Sequence, residues 1–166
     1  MRHILSIILA LTSVIANAGL PGLRDTLANI IGDRHVAVAM ISSRGDTITA
    51  GTDDFIDLAS VMKFHQAAAI SRIADFDTLV SKKITVTNED LRRDTWSPMR
   101  AAATTVPFDI SPVELLDYSL NMSDNNAADI LFAHFASPEV VDSIVRRDYG
   151  ATNFAIGVNE ARMHAN

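Results

Sequence analysis

A serine, two apolar residues and a lysine, Ser60-Val61-Met62-Lys63, open the run SVMKFHQAAAISRIA, which contains no glycine or proline. Its alanine content and its apolar residues nearly all round predict a buried helix over 60–74. The rest of the chain must then pack around that helix. Ser60 and Lys63 are three positions apart, so they share one helical face. The free N–H groups and the dipole at a helix N-terminus favour a negative charge developing there. A hydroxyl that can form an alkoxide, with an amine one turn along, is a nucleophile beside a candidate base. An N-cap serine followed by a lysine that lays its stem along apolar surface explains the same residues without chemistry. With 13 serines and 3 lysines in the chain, S-x-x-K arises by chance about 0.2 times. The pattern therefore needs support from elsewhere.

The 166 residues fit one domain or part of a larger one. A hydrophobic content of 48% supports a packed core rather than disorder. Residues 1–18, MRHILSIILALTSVIANA, read as a secretory signal peptide. Arg2 and His3 give a positive start, residues 4–15 are mostly apolar, and Ala16-Asn17-Ala18 is a small-residue cleavage site. The apolar part is short for a membrane span and is not flanked like one; a buried N-terminal helix is the alternative. Cleavage removes one arginine and no acid, taking the formal charge from −6 to −7. That acidity argues against a nucleic-acid partner. The chain has no cysteine, which excludes disulfides and thiolate metal sites. No metal or other cofactor is expected.

Leu23, Leu27, Ile30 and Ile31 are spaced for a helix over 21–31. The apolar run 35–43, the turn Arg44-Gly45-Asp46 and the alternating residues 47–50 predict a β-hairpin. Residues 51–59 form a loop that delivers Ser60. Residues 84–87 read as extended, 88–93 as a helical turn, and 95–109 as irregular. Ser111-Pro112-Val113-Glu114 is a capping box with proline at the first helical position. Further helices are predicted over 126–135 and from Pro138 to the stop at Gly150, and 151–166 has no clear period. A lone hairpin is marginal in water, and this apolar strand lacks partners in the sequence. The chain therefore reads as a fragment of a larger domain.

Ser123-Asp124-Asn125 lies between two predicted helices and would occur about 0.07 times by chance. An N-cap cluster explains it structurally. Chemically, a serine there can relay a proton and an asparagine can hold a substrate amide. Glu160 stands out by elimination among the four glutamates. Glu114 completes the capping box, Glu139 sits in a first helical turn, and Glu89 lies in the short turn near Asn88. Only Glu160 falls in an irregular segment with no local task, and such segments often carry function. A solvated loop acid is the alternative.

Ser60-x-x-Lys63, Ser123-Asp124-Asn125 and a later loop glutamate resemble, in order and spacing, the signature of class A serine β-lactamases. Lys63-Phe64-His65-Gln66-Ala67, Thr95-Trp96-Ser97-Pro98, Ser123-Asp124-Asn125-Asn126-Ala127 and Asn159-Glu160-Ala161-Arg162-Met163-His164 are similar to the cephalosporin-preferring branch. The resemblance covers residues 19–166, as the N-terminal part of such a domain. It implies an α/β plus all-α fold, the β-lactamase/transpeptidase-like fold. This chain would supply the first helix, the N-terminal hairpin and most of the helical domain. It implies that Ser60 attacks the β-lactam carbonyl, aided by Lys63, by Glu160 through water, or by both. Ser123 would pass a proton to the leaving nitrogen, Asn125 would hold the substrate's side-chain amide, and Trp96 would wall the cleft.

Two departures from the family pattern stand in the sequence. No K-T-G segment is present, nor its carboxylate-binding basic residue and half of the oxyanion hole. The usual E-x-x-L-N becomes Glu160-x-x-Met163-His164, so His164 stands where the water-holding asparagine does and is expected to position the water. The implied partner is a small-molecule β-lactam, with no nucleic acid and no membrane once the signal is cleaved. A periplasmic monomer is expected, and 19–166 alone is expected to be inactive. The alternatives are a penicillin-binding transpeptidase or carboxypeptidase, a β-lactam sensor domain that stays acylated, or an inert fragment.

Overall fold

The computed structural model describes residues 22–152 and 154–163, apart from the side chains of Arg162 and Met163. The predicted signal peptide, 1–18, and His164 lie outside the described residues. The chain divides at Asp57 into two compact units.

In the first unit, described residues 22–31 are helical (α1), and Leu23 and Leu27 face one way from it. Strands β1 (Ala37–Ile41) and β2 (Thr47–Gly51) pair antiparallel, with Val38 opposite Ala50 and Met40 opposite Ile48. Alternation puts Val38, Met40, Ile48 and Ala50 on the face that packs with Leu23 and Leu27. The other face of β1 is open, and Ile41 is 76% exposed. The predicted strand is thus shorter than 35–43, and β2 is its sole sheet partner among the described residues. Gly51 is required by space as well as angle: its φ is +105°, and a Cβ there would stand 1.9 Å from the Val36 carbonyl oxygen.

The second unit begins with a 3-10 turn, Ala59–Val61, that runs into α2 (Met62–Ile73). The expected helix over 60–74 is therefore α-helical only from Met62. It is also not buried all round. Met62, Lys63, Gln66, Ala69 and Ile70 are buried, whereas Phe64 is 66% exposed. Two polar residues have taken core positions, and apolar ones have been left outside.

After α2 come α3 (Phe76–Ser81), β3 (Ile84–Val86), α4 (Pro98–Ala102) and β4 (Phe108–Ile110). Then follow α5 (Pro112–Met122), α6 (Asn125–His134), α7 (Pro138–Tyr149) and α8 (Glu160–Met163). Residues 88–90 make a turn rather than a helical stretch. The segment expected to be irregular, 95–109, contains α4 and the first two residues of β4, and β4 pairs antiparallel with β3. Ser97 starts α4 by accepting from Arg100 N–H, with Pro98 in the first turn. The capping box of Ser111 and Glu114 forms as expected, and Gly150 ends α7 with φ 70°.

Two apolar clusters build this unit, and α2 and α6 contribute to both. Ile70 of α2 and Ala127, Ile130 and Leu131 of α6 join Leu79, Ile84, Val86, Met99 and Leu115 in one cluster. Met62 and Ala69 of α2 and Phe132 of α6 join Val141, Ile144, Val145, Phe154 and Ile156 in the other. A buried hydrogen bond, from Gln66 Nε2 to the Ala128 carbonyl at 2.9 Å, ties the two helices directly. No helix among the described residues is long and apolar enough to cross a membrane. Leu131 is fully buried in the first of these clusters, with Ile70 of α2. We expect Leu131→Ala to lower unfolding stability by ~2–5 kcal/mol, read from the midpoint of urea denaturation; a loss below about 1 kcal/mol would mean that this cluster is loosely packed.

Candidate active site

Ser60 lies in the 3-10 turn before α2, not at a helix N-cap. No side chain caps either the turn or α2, so the purely structural account of Ser60 does not hold. Ala59, immediately before it, has a positive φ of 44°. This conformation costs an alanine about 1–2 kcal/mol, and it aims the turn that presents the serine.

Lys63, in the first turn of α2, points inward and is 2% exposed. Its Nζ lies 3.3 Å from Ser60 Oγ, 3.2 Å from Ser123 Oγ, 3.0 Å from the Ser123 carbonyl oxygen and 2.5 Å from Asn125 Oδ1. Glu160 Oε1 forms an ion pair with it at 3.1 Å. Five oxygens thus surround three N–H donors, and no single arrangement serves all five at once. An ammonium taken out of water costs several kcal/mol unless paired and hydrogen-bonded; this shell compensates that cost. Ser123 Oγ donates to Ser60 Oγ at 2.8 Å, so the two hydroxyls and the amine form a closed triangle.

The α5–α6 junction supplies the second side of the site. Ser123 ends α5 in a left-handed conformation with φ 54°, which turns both its carbonyl and its hydroxyl toward Lys63. Ala59 and Ser123 are the two non-glycine residues with positive φ among the described residues, and both adjoin the same lysine environment. Strained backbone at two points around one cluster is the pattern expected of a functional site.

Asp124 is the N-cap of α6, as a structural reading of the tripeptide anticipates, but it does more than cap. It accepts from Ala127 N–H at 2.9 Å, from Met99 N–H at 2.7 Å and from Ser97 Oγ at 2.9 and 3.0 Å. It therefore fastens the start of α4 to the start of α6. Asn125 then sends Oδ1 to Lys63 and donates through Nδ2 to Thr95 Oγ1 at 2.7 Å. Its backbone N–H donates to the Trp96 carbonyl at 3.0 Å. Trp96 in turn donates Nε1–H to the Met122 carbonyl at 2.9 Å, leaving its ring 65% exposed.

Glu160 is not in an irregular segment; it opens the short helix α8. It is 4% exposed. Its own N–H and that of Ala161 donate to the two carboxylate oxygens of Asp129, at 2.9 and 3.0 Å. The structure therefore brings Ser60, Lys63, Ser123, Asn125 and Glu160 together from three separated segments, with Trp96 beside them at the junction. Thr95, Ser97 and Asp129 were not singled out from the sequence. Asp129 could have been, by the elimination applied to Glu160. It is an acid inside the otherwise apolar stretch 127–133, and no basic residue stands three or four positions away on either side.

No family model matches the chain. The curated β-lactamase VEB-1 of Pseudomonas aeruginosa is 28% identical over 173 residues, covering 99% of this chain and 56% of its own. The crystal structure of a β-lactamase from Chitinophaga pinensis superposes with a TM-score of 0.76 at 32% identity, over 86% of this chain and 54% of its own. A class A β-lactamase structure from Bacteroides cellulosilyticus gives a TM-score of 0.71 at 27% identity, over 85% and 52%. The chain spans about half the length of the curated relatives it matches.

The Asp124 network yields a prediction. Asp124→Ala leaves Ser97 Oγ and the N–H groups of Met99 and Ala127 without their acceptor. We expect a loss of ~2–4 kcal/mol from a cap and further buried hydrogen bonds removed together, measured by urea denaturation. Asp124→Asn keeps one acceptor and should lose less; equal losses would show that the charge, not the bonding, matters. In sequence and in fold alike, the chain resembles the N-terminal portion of class A β-lactamases.

Proposed function

We propose that the protein hydrolyses β-lactam antibiotics through an acyl-enzyme on Ser60, and so confers resistance to them. The observation that carries this reading is Lys63 Nζ, held within 3.3 Å of Ser60 Oγ, Ser123 Oγ and Glu160 Oε1. A nucleophile, a proton carrier and a carboxylate are thereby connected through one amine.

In acylation the Ser60 oxygen bonds to the lactam carbonyl carbon and the carbon–nitrogen bond opens. The Ser60 proton leaves toward Glu160 through a water, or toward Lys63 once Lys63 has passed a proton to the Glu160 carboxylate 3.1 Å away. The departing nitrogen takes a proton from Ser123, which regains one from Lys63; in support, Ser123 Oγ lies 2.8 Å from Ser60 Oγ and 3.2 Å from Lys63 Nζ. The Ser60 N–H is one donor to the oxyanion. Asn125 uses one Nδ2 hydrogen on Thr95 and has the other for a substrate amide carbonyl. Trp96 offers a flat apolar wall to the rest of the substrate. In deacylation Glu160 takes a proton from water as the water oxygen adds to the ester carbonyl; the adduct then breaks its carbon–oxygen bond to Ser60, whose oxygen takes that proton back, and the opened acid leaves. His164 would help hold that water. Export by the 1–18 signal and a periplasmic monomer complete the reading.

Three substitutions test it in the protein expressed from its complete reading frame. Ser60→Ala should abolish turnover of nitrocefin, and activity within tenfold of the unmutated protein would sink the assignment. Lys63→Ala should slow acylation by ~10²–10⁴, the range of general-base removal, in rapid-mixing experiments. Glu160→Ala should give a burst of one equivalent and then a stable adduct on Ser60, seen by intact-mass spectrometry. If the unmutated protein itself stays acylated, a penicillin-binding or sensor role replaces hydrolysis.

A further inference from the structure

The segment that leads from α7 to Glu160 is held by two side chains with no part in the steps above. Residues 154–159 have no regular structure. They nevertheless begin with the alternation of a strand: Phe154 and Ile156 are buried, and Ala155 and Gly157 are exposed. No strand pairs with this segment among the described residues, so its backbone groups need other partners. Asp142 and Arg146, four positions apart on α7, supply two of them. Arg146 Nε donates to Asp142 Oδ2 at 2.7 Å. On a helix surface such an ion pair is worth little by itself. Here each partner makes a second contact, and both contacts go to the main chain of the segment. Asp142 Oδ1 accepts from the Ile156 N–H at 3.0 Å, and Arg146 Nη1 donates to the Thr152 carbonyl at 3.1 Å. The pair thus offers one acceptor and one donor to 152–156, as a neighbouring strand would. Beneath it Phe154 and Ile156 insert into the cluster of α2, α6 and α7, and the Phe154 ring centre lies 4.7 Å from that of His65 on α2.

We propose that Asp142 and Arg146 form a clip that holds the main chain of 152–156 against α7, and that they act through it as positioning residues for Glu160 when the acyl-enzyme is hydrolysed. The proposal rests on the reading of Glu160 as the deacylating base. The two kinds of contact divide the work. The apolar side chains choose which residues face inward, since a slip of one residue would turn Phe154 and Ile156 out to water. The clip fixes how closely the backbone that carries them lies on α7. Both of its backbone contacts are charge-assisted, the stronger kind of hydrogen bond. Glu160 follows Ile156 by four residues, and four residues of extended chain reach about 14 Å at most. On so short a tether, a shift of Ile156 away from α7 is passed on to the carboxylate, now 3.1 Å from Lys63 Nζ. The side chains of Asp142 and Arg146 are 24% and 41% exposed. The clip therefore faces solvent and can open locally while the cluster beneath it stays folded.

The test uses the protein from its complete reading frame, unmutated and as Asp142→Ala, Asp142→Asn and Arg146→Ala, with two readouts. The first is amide hydrogen exchange of peptides spanning Ile156. The second is the separate rates of acylation and deacylation with nitrocefin, with the acylated fraction followed by intact mass. In Asp142→Ala we expect the Ile156 amide to exchange about tenfold faster. Deacylation should slow by about threefold or more, with acylation much less affected. Asp142→Asn keeps an oxygen for the Ile156 N–H but loses the charge facing Arg146, and Arg146→Ala frees the Thr152 end alone. Both should fall between the unmutated protein and Asp142→Ala on each readout, and they carry the test if Asp142→Ala fails to fold. Unchanged exchange in Asp142→Ala, or in both other variants where it does not fold, would reduce the pair to a helix-surface contact and overturn the clip. Faster exchange with unchanged deacylation would overturn the link to Glu160. Acylation and deacylation falling by the same factor would show a general loosening of the site and overturn the positioning role. A protein that is never acylated would overturn the reading of Ser60, and the exchange data would still decide whether Asp142 and Arg146 hold the segment.

Discussion

Burying the Lys63 amine is the requirement around which the second unit is arranged. A lysine at 2% exposure has no bulk water to satisfy its three donors, so the protein must bring oxygens to it. They come from the 3-10 turn at Ser60, from the α5–α6 junction at Ser123 and Asn125, and from α8 at Glu160. Each of these segments is therefore under an electrostatic demand as well as a packing one. The apolar clusters give the scaffold: α2 and α6 contribute to both, and a buried side chain–backbone bond joins them. The lysine then fixes how the ends of the surrounding elements must be turned. This division explains why strain collects where it does. Ala59 and Ser123 adopt costly backbone angles, and each is adjacent to, or itself supplies, an oxygen facing Lys63. Contacts to a buried cation offset the strain.

Asp124 plays the corresponding part for the α4–α6 corner. A loop of mixed short elements, 95–111, has to be held against α6 if Trp96 and Thr95 are to sit beside Asn125. One carboxylate gathers two N–H groups and a hydroxyl from both sides of that corner. The Trp96 indole N–H and carbonyl close the loop onto the α5–α6 junction. Thr95 then receives the second end of the Asn125 amide. The orientation of Asn125 is thus set at both ends, by Lys63 on Oδ1 and by Thr95 on Nδ2. An amide held so can present its remaining hydrogen in one direction only.

The elements best read from sequence are those written by local rules. The capping box at Ser111, proline at the first turns of α5 and α7, and Gly150 after α7 are local stop and start chemistry, and each is where it was expected. The β-hairpin was legible from alternation and its glycine turn. The failures have tertiary causes. α4 and β4 were hidden because five- and three-residue elements exist only through their partners, Asp124 for one and β3 for the other. The burial of α2 was misjudged because periodicity ranks Phe64 above Lys63 and Gln66 as core, whereas buried oxygens draw Lys63 inward. Ser60, Lys63, Ser123, Asn125 and Glu160 were legible as candidates, from residue types and from a family resemblance, and the structure gathers them. Thr95 and Asp129 were not, since a positioning residue has no signature of its own until the group it positions has been located.

The charges behind the lysine follow from the same electrostatics. Glu160 neutralises Lys63, but its own N–H and that of Ala161 need acceptors away from water, and Asp129 meets that need with a second buried carboxylate. Two neighbouring carboxylates repel, and burial already raises Asp129 to about 6. Arg92 opposes that rise. Its own guanidinium is held more firmly protonated, first by its bond to Asp94 and, less strongly, by Asp129 and Glu160. Arg92 is shared with Asp94, 2.7 Å away, and is partly exposed, so it is the weaker counterweight. Lys63 is the buried one: removing it would leave a surplus negative charge in a poorly solvated place, which is the costly case for buried ions. The position of Glu160 beside Lys63 thus depends on charges carried by α2, α8 and α6, with Arg92 easing the repulsion from the segment before α4.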